Sequence, residues 1–279
     1  MILKSFSKIN LSLNINKKFK RTKLHDIQTY YCLLNLFDLI KIRKINGNKD
    51  KIRFYGKFAK YVNLKDNSII NTFKVLRNEN LVSNFYSVSI NKKIPVFGGM
   101  GGGSSNAAYL ARYFIKKRFN KKLLKKFEQK IGTDFKLFFS KQGFLPNLEE
   151  VIRFKKNHQF YVLLIYPYIR CSSKTAYSKV NKSLFKPKEK YYRTNNKKKF
   201  IEFISKKNNA LELLIKKRFK RIKILINDVS KLRGCYFSRM TGSGSVCYGI
   251  FQSKKTADAG LNWIRSKYPK YWVSVAKTI

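Results

Sequence analysis

Pro95-Val96-Phe97-Gly98-Gly99-Met100-Gly101-Gly102-Gly103-Ser104-Ser105-Asn106-Ala107-Ala108 is the stretch on which the reading of this chain turns. Five of the six residues from Gly98 to Gly103 are glycine, and so dense a run costs conformational entropy that a plain connector does not need. Glycines let successive backbone N–H groups converge on an anion with no side chain in the way, and a following helix adds the partial positive charge of its N-terminus. Gly98 to Ser105 therefore reads as a phosphate cradle. Spacing excludes two familiar cradles: a Walker A loop needs Gly-Lys-Ser/Thr where this chain has Gly103-Ser104-Ser105, and no Gly-x-Gly-x-x-Gly register fits.

Outward from the glycines, Phe85-Tyr86-Ser87-Val88-Ser89-Ile90 alternates as a strand does, and Ala107, Leu110, Ala111, Phe114 and Ile115 recur at helical spacing. The order is strand, glycine loop, helix. Upstream, Ile69, Ile70, Phe73 and Leu76 predict a helix with Asn67 or Ser68 as its N-cap. Residues 5–15 alternate with Phe6, Lys8, Asn10 and Ser12 on one side, so Lys8 and Asn10 share a face. From Ile27 to Ile45 the chain is rich in aromatic and aliphatic residues, and strand and helix both remain open. Downstream, a helix is expected over Lys121–Gly132, with Ile131-Gly132-Thr133-Asp134-Phe135 leading into a strand-like stretch.

Residues 146–158 turn polar before an apolar run at Phe160, which predicts two domains, 1–154 and 155–279. Residues 186–199 read as a long exposed loop, followed by helices over about 200–231. Then come a strand at Cys235–Met240, a second glycine turn, a strand to Phe251, a helix over Lys255–Lys267 and a terminal strand from Trp272.

The chain's 279 residues, 44% of them hydrophobic, can bury a sizeable core. Its 62 Lys and Arg against 14 Asp and Glu give a net charge of +48, which favours phosphate-rich ligands, nucleic acid or anionic membrane. The basic residues are spread through every segment, so the charge reads as compositional drift and no specific nucleic-acid partner is expected. Cys32, Cys171, Cys235 and Cys247 form no C-x-x-C pair and do not cluster with His25 or His158, so no metal site is expected from them. No apolar stretch reaches membrane-spanning length and no cleavable leader is visible, so a soluble, cytoplasmic monomer or homodimer with reduced thiols is expected.

Carboxylates are scarce, which makes Asp134 conspicuous. A phosphoryl acceptor needs a group that orients its hydroxyl or takes its proton, and a cation to balance charge on the transferring group. Asp134 and Lys8 suit those roles. Ser104, Ser105 and Asn106 suit phosphate oxygens, a Mg²⁺ shell or helix capping. The turn Thr241-Gly242-Ser243-Gly244 fits either a hairpin or a second wall of the site.

Several separated motifs, in order, resemble those of the GHMP kinases: Phe6-Ser7-Lys8-Ile9-Asn10-Leu11, His25 with Gln28 and Thr29, Asp66-Asn67-Ser68-Ile69-Ile70, the glycine run, and Gly132-Thr133-Asp134. Cys171-Ser172-Ser173-Lys174-Thr175-Ala176-Tyr177, Asn209-Ala210-Leu211-Glu212 and Met240-Thr241-Gly242-Ser243-Gly244-Ser245 continue the series. The resemblance implies an α+β, two-domain fold with an amino-terminal β-α-β nucleotide-binding domain and a carboxy-terminal ferredoxin-like α/β sandwich. It implies ATP and Mg²⁺, with ATP held by Pro95 to Asn106 together with Asn67, and Lys8 and Asp134 as catalytic pair. Asn10 and His25 would meet the substrate, a cytidine diphosphate-linked alcohol of isoprenoid-precursor synthesis, and Thr241 to Gly244 would support the site. A homoserine- or mevalonate-type kinase and a basic nucleic-acid-binding protein on the same fold are the rival readings.

Phe97 stands where the family usually has a small residue, and Leu24 where an aromatic precedes the histidine. Phe135-Lys136 replaces Val-Pro, Asn147-Leu148-Glu149 lies where Gly-x-Gly-Glu is usual, and Ala210 takes an aspartate position.

Overall fold

His25–Ile45 is one uninterrupted strand of 21 residues. Its first ten residues are all buried, so the period of two that marks a half-exposed strand is missing there, and the sequence alone leaves helix and strand open. The computed structural model describes residues 1–20, 24–116 and 119–279. In chain order the elements are β1 (Ile2–Asn10), β2 (Asn14–Lys18), β3 (His25–Ile45), β4 (Lys51–Tyr55), α1 (Ser68–Asn78), β5 (Phe85–Asn91), α2 (Gly102–Ile115) and α3 (Lys121–Ile131). A 3₁₀ turn (Thr133–Phe139) precedes β6 (Gln142–Leu145), β7 (Ile152–Arg153), β8 (Tyr161–Tyr166), α4 (Ser173–Ser178), α5 (Lys197–Ser205), α6 (Ala210–Arg218) and α7 (Lys220–Ser230). The chain ends with β9 (Cys235–Met240), β10 (Cys247–Phe251), α8 (Lys254–Lys267) and β11 (Trp272–Lys277).

Two compact units are assembled from separated stretches of chain. One comprises Met1–Lys8, Leu36–Val96 and Gly101–Phe139; the other comprises Ile9–Asn35, Phe97–Met100 and Ser140–Ile279. In the first, the later half of β3 pairs antiparallel with β5, Ile42 opposite Val88 and Ile40 opposite Ile90. β4 adds itself parallel to β5 as an edge strand. Its alternation of exposed Lys51, Arg53 and Tyr55 is the charged character that keeps an edge from pairing further, and it hides the strand from a hydrophobicity reading. Phe73, Tyr86 and Phe114 close a ring cluster with centroids 4.8 to 6.0 Å apart under α1 and α2.

In the second unit, the early half of β3 pairs with β2 and β6. A separate four-stranded antiparallel sheet runs in the order β11-β8-β10-β9, with α7 and α8 packed on it. Tyr30, fully buried, meets Phe144 at 4.4 Å and Phe203 at 5.4 Å. Helices and sheets thus mix in α+β fashion. Among the described residues no helix is long and apolar enough to cross a membrane, and all four cysteines are free.

The residues after Gly132 depart from the strand-like expectation. Phe135, Lys136, Leu137 and Phe138 are buried in succession, which a strand with one solvent face does not allow and a tight 3₁₀ turn does. The first helix of the later group starts at Lys197, three residues before the expected start, because the Asn196 side chain accepts the Lys199 N–H at 3.1 Å.

Candidate functional site

Within the first unit, Lys8 and Asp134 form an ion pair, Nζ to Oδ2 3.1 Å. β1 carries Lys8, whose side chain is only 3% exposed, while Asp134 is 35% exposed at the start of the 3₁₀ turn. Phe135 holds that turn: it is fully buried and stacks on Phe127 with centroids 4.9 Å apart. Lys136 reaches Glu128 at 2.8 Å, and burial, opposed by Lys136, raises the Glu128 carboxyl above its ordinary range. The pair Phe135-Lys136 is thus packed and ion-paired, and it leaves the preceding aspartate facing out.

The cradle's later half lies beside this pair. A Cβ placed on Gly101, whose φ is +67°, would sit 3.1 Å from Lys8 Cε and 2.8 Å from Phe138 Cζ. The lysine stem therefore runs directly along the glycine, and any side chain there would displace it. Gly102 opens α2, and Gly103 faces the start of α1, where Ser68 Oγ would be 3.5 Å from an added Cβ. Asn67 caps α1 by accepting the N–H groups of Ile69 and Ile70, each at 3.1 Å. Ser104 is half-buried, whereas Ser105 and Asn106 are buried and turned inward: Ser105 donates to the Phe6 carbonyl at 2.6 Å and Asn106 donates to Ser5 Oγ at 2.9 Å. Pro95 is buried and Val96 half-buried.

Within the second unit, the loop's earlier half meets the second glycine turn backbone to backbone. Val246 N–H donates to the Gly98 carbonyl at 3.1 Å. A Cβ on Gly99 would lie 2.2 Å from the Thr241 carbonyl oxygen, and one on Gly242 would lie 2.9 Å from the Gly99 carbonyl oxygen. Thr241 Oγ1 accepts the Asn10 N–H at 3.0 Å and reaches the Gly99 carbonyl at 3.4 Å. Asn10 is buried and donates to Thr29 Oγ1 at 2.9 Å. Asn209 donates to the carbonyls of Met240 and Gly242 at 2.9 and 2.8 Å, and Glu212 accepts the Met240 N–H at 2.8 Å. The Asn209 to Glu212 motif therefore works as a brace for the turn. Ser243 shares a hydrogen bond with Ser173 at 2.8 Å; Met100 is buried and Phe97, at φ +61°, is 41% exposed.

His25, also in the second unit, is 5% exposed, and among the described residues neither ring nitrogen has a hydrogen-bond partner. Its ring stacks on Tyr177 at 5.5 Å and meets Phe185 edge-on at 6.4 Å. Burial, with a smaller contribution from Lys18, holds the imidazole below its usual pKa of 6.5, so the neutral ring keeps one donor and one acceptor. Gln28 secures the facing loop, its side-chain amide donating to the Glu189 carbonyl at 3.0 Å and its oxygen accepting the Glu189 N–H at 2.7 Å. Leu24 is 48% exposed. Tyr177 and Phe185 are the aromatic partners that sequence reading did not assign to the site. Tyr177 sits inside the Cys171 to Tyr177 motif, a signal that was available; Phe185 has none.

The chain resembles known proteins along its whole length. It is 33% identical over 288 residues to the 4-diphosphocytidyl-2-C-methyl-D-erythritol kinase of Pelagibacter ubique (strain HTCC1062), covering 99% of this chain and 98% of that protein. The enzyme of the same name from Buchnera aphidicola subsp. Schizaphis graminum (strain Sg) is 33% identical over 264 residues, covering 90% and 85%. The family described as GHMP kinases C terminal matches residues 196–270. A solved 4-(cytidine 5'-diphospho)-2C-methyl-D-erythritol kinase superposes with a TM-score of 0.75 at 18% identity, over 99% of each chain. The mevalonate kinase of Methanococcus jannaschii gives 0.62 at 15%, over 100% of this chain and 98% of that one. The fold is therefore that of the GHMP kinases, as the motifs implied.

Proposed function

The chain belongs to the family of 4-diphosphocytidyl-2-C-methyl-D-erythritol kinases, and we propose that it transfers the γ-phosphoryl group of ATP to a hydroxyl of 4-diphosphocytidyl-2-C-methyl-D-erythritol, serving isoprenoid-precursor synthesis. The observation that carries this reading is the Lys8–Asp134 pair, held at 3.1 Å beside Gly101. Asp134 is exposed enough to reach a hydroxyl, orient it and take its proton as the new bond to phosphorus forms. The buried Lys8 ammonium offsets negative charge on the transferring group. Backbone N–H groups of the glycine loop and of the first turn of α2 hold the nucleotide phosphates.

Mg²⁺ fits the groups present. It usually takes one or two protein ligands and fills its shell with phosphate oxygens and water, and the half-buried Ser104 hydroxyl can serve as such a protein donor. When bound, it would neutralise phosphate charge.

His25 is the acceptor-side group in this reading. A buried, neutral imidazole whose nitrogens have no partner among the described residues costs free energy until a ligand pairs with them, and the edge of cytosine offers both a donor and acceptors. Tyr177 and Phe185 supply the aromatic walls that Leu24 does not.

Purified protein with Mg²⁺-ATP should phosphorylate 4-diphosphocytidyl-2-C-methyl-D-erythritol, with product identified by mass spectrometry and Asp134→Ala as the control. Transfer to homoserine or mevalonate instead, with none to the cytidylyl compound, would refute the substrate assignment.

A further inference from the structure

Asp38 lies in β3, fully buried, and both its oxygens are saturated by donors from the two ends of the glycine loop. Oδ1 accepts the backbone N–H groups of Lys93 at 2.7 Å and Ile94 at 2.9 Å, the limb that enters the loop at Pro95. Oδ2 accepts Asn106 Nδ2 at 3.0 Å, from the start of the second turn of α2 just past the glycines, and the ammonium of Lys92. Lys92, 2% exposed, also donates to Asn106 Oδ1 at 2.9 Å, and its Nζ would stand 3.5 Å from a Cβ on Gly102.

The network continues to β1. Ser105 spends its single hydroxyl proton on the Phe6 carbonyl, so Ser5 donates to Ser105 Oγ at 2.7 Å and accepts from Asn106 Nδ2 at 2.9 Å. β1 is the strand that carries Lys8.

A buried ion pair is by itself weak support for stability. The distribution of partners says more: two donors precede the glycines, one follows them, and the ammonium of Lys92 joins both sides. We propose that Asp38 is a positioning residue that clasps the entry and exit limbs of the loop, so that nucleotide affinity depends on a carboxylate the nucleotide does not touch. A carboxylate is required because its two oxygens accept on both sides. An asparagine would turn an NH₂ group toward donors on one of them, and that limb would lose its tether.

The proposal rests on the reading that the loop holds nucleotide phosphates, and two independent measurements keep the two apart. In Asp38→Asn, KM for ATP should rise by about tenfold or more, as expected when buried hydrogen-bond donors lose their acceptor, while KM for the acceptor stays within about twofold. In the nucleotide-free variant, hydrogen exchange of the amides of residues 93–106 should accelerate more than that of β8. Asn106→Ala, which frees only the exit limb and leaves the Asp38–Lys92 pair, should reproduce both effects more weakly and covers the case in which Asp38→Asn does not fold. Should exchange quicken equally in the loop and in β8, or should both KM values rise together, Asp38 is a general stabiliser and the clasp is wrong. If the wild type phosphorylates nothing, the exchange measurement still decides the clasp.

Discussion

Lys8 is almost wholly enclosed while Asp134, 3.1 Å away, keeps a third of its side chain open to solvent. That asymmetry suits the roles proposed above: in the proposed reaction the enclosed cation supplies a fixed charge and the accessible carboxylate meets the incoming hydroxyl. Removing a general base or a charge stabiliser of this kind typically costs about 10²–10⁴ in rate. Asp134→Ala should therefore lower kcat on that scale while leaving KM for ATP nearly unchanged. Lys8→Ala should do likewise, and the double variant should lose far less than the product of the two, because the residues act as one unit. Steady-state assays of the three variants check this; strict additivity would contradict it.

His25 and Tyr177 make a different prediction. In the proposed reaction their stacked rings form the acceptor side, so His25→Ala and Tyr177→Ala should each raise KM for the acceptor roughly tenfold or more, the size of a lost buried hydrogen bond or aromatic contact. KM for ATP should not follow. An equal rise in both constants would remove His25 from the base-recognition role.

The site was legible in the sequence where chemistry depends on residue type and order. The glycine run and the scarce carboxylate of Asp134 stand out on residue type alone, Lys8 follows from the cation that a phosphoryl transfer needs, and His25 is marked only by the motif series that resembles the GHMP kinases. Phe185 is not legible there, because an aromatic residue in a chain with this much Phe and Tyr carries no distinguishing mark, whereas Tyr177 is marked only by its place at the end of the Cys171 to Tyr177 motif. Asp38 was also overlooked, although a carboxylate inside the apolar run Leu34-Asn35-Leu36-Phe37-Asp38-Leu39-Ile40 was the available hint. In the fold, amphipathic helices such as α1 announced themselves by period. β3 did not, since burial on both sides erases alternation, and β4 did not, since its charged residues mask it.

Gly99 tests the contact between the loop and the second glycine turn. Its φ of +76° is unfavourable for alanine, and the added Cβ would press to 2.2 Å on the Thr241 carbonyl. Gly99→Ala should destabilise by about 2–4 kcal/mol, combining left-handed strain with a backbone overlap. Gly47 has nothing within 4 Å of an added Cβ, and Gly47→Ala should change stability by no more than about 1 kcal/mol, in either direction. Urea denaturation of both variants gives the comparison.

Acid should weaken the fold before the ordinary carboxylates titrate. His25 is held below the usual 6.5 chiefly by burial, then by Lys18. His158 is lowered chiefly by burial as well, with Lys156 and Lys197 adding to it and a hydrogen bond to the Thr194 carbonyl opposing it. Its ring is stacked on Phe200 at 4.4 Å, so protonation there puts a charge inside an aromatic cluster. Between the ordinary value and the lowered native ones, the unfolded chain binds more protons than the folded one, so unfolding free energy rises with pH across that window. Stability should level off near pH 7.5 and fall steadily from about 6.5 toward 5, a range in which ordinary carboxylates stay ionised. His25→Phe keeps the ring's bulk and removes its proton site, so its stability curve should be shallower over the same range than that of the wild type. A curve for His25→Phe as steep as the parent's would mean that His158 or another group carries the acid lability, and that His25 is not the strained, neutral imidazole its surroundings imply.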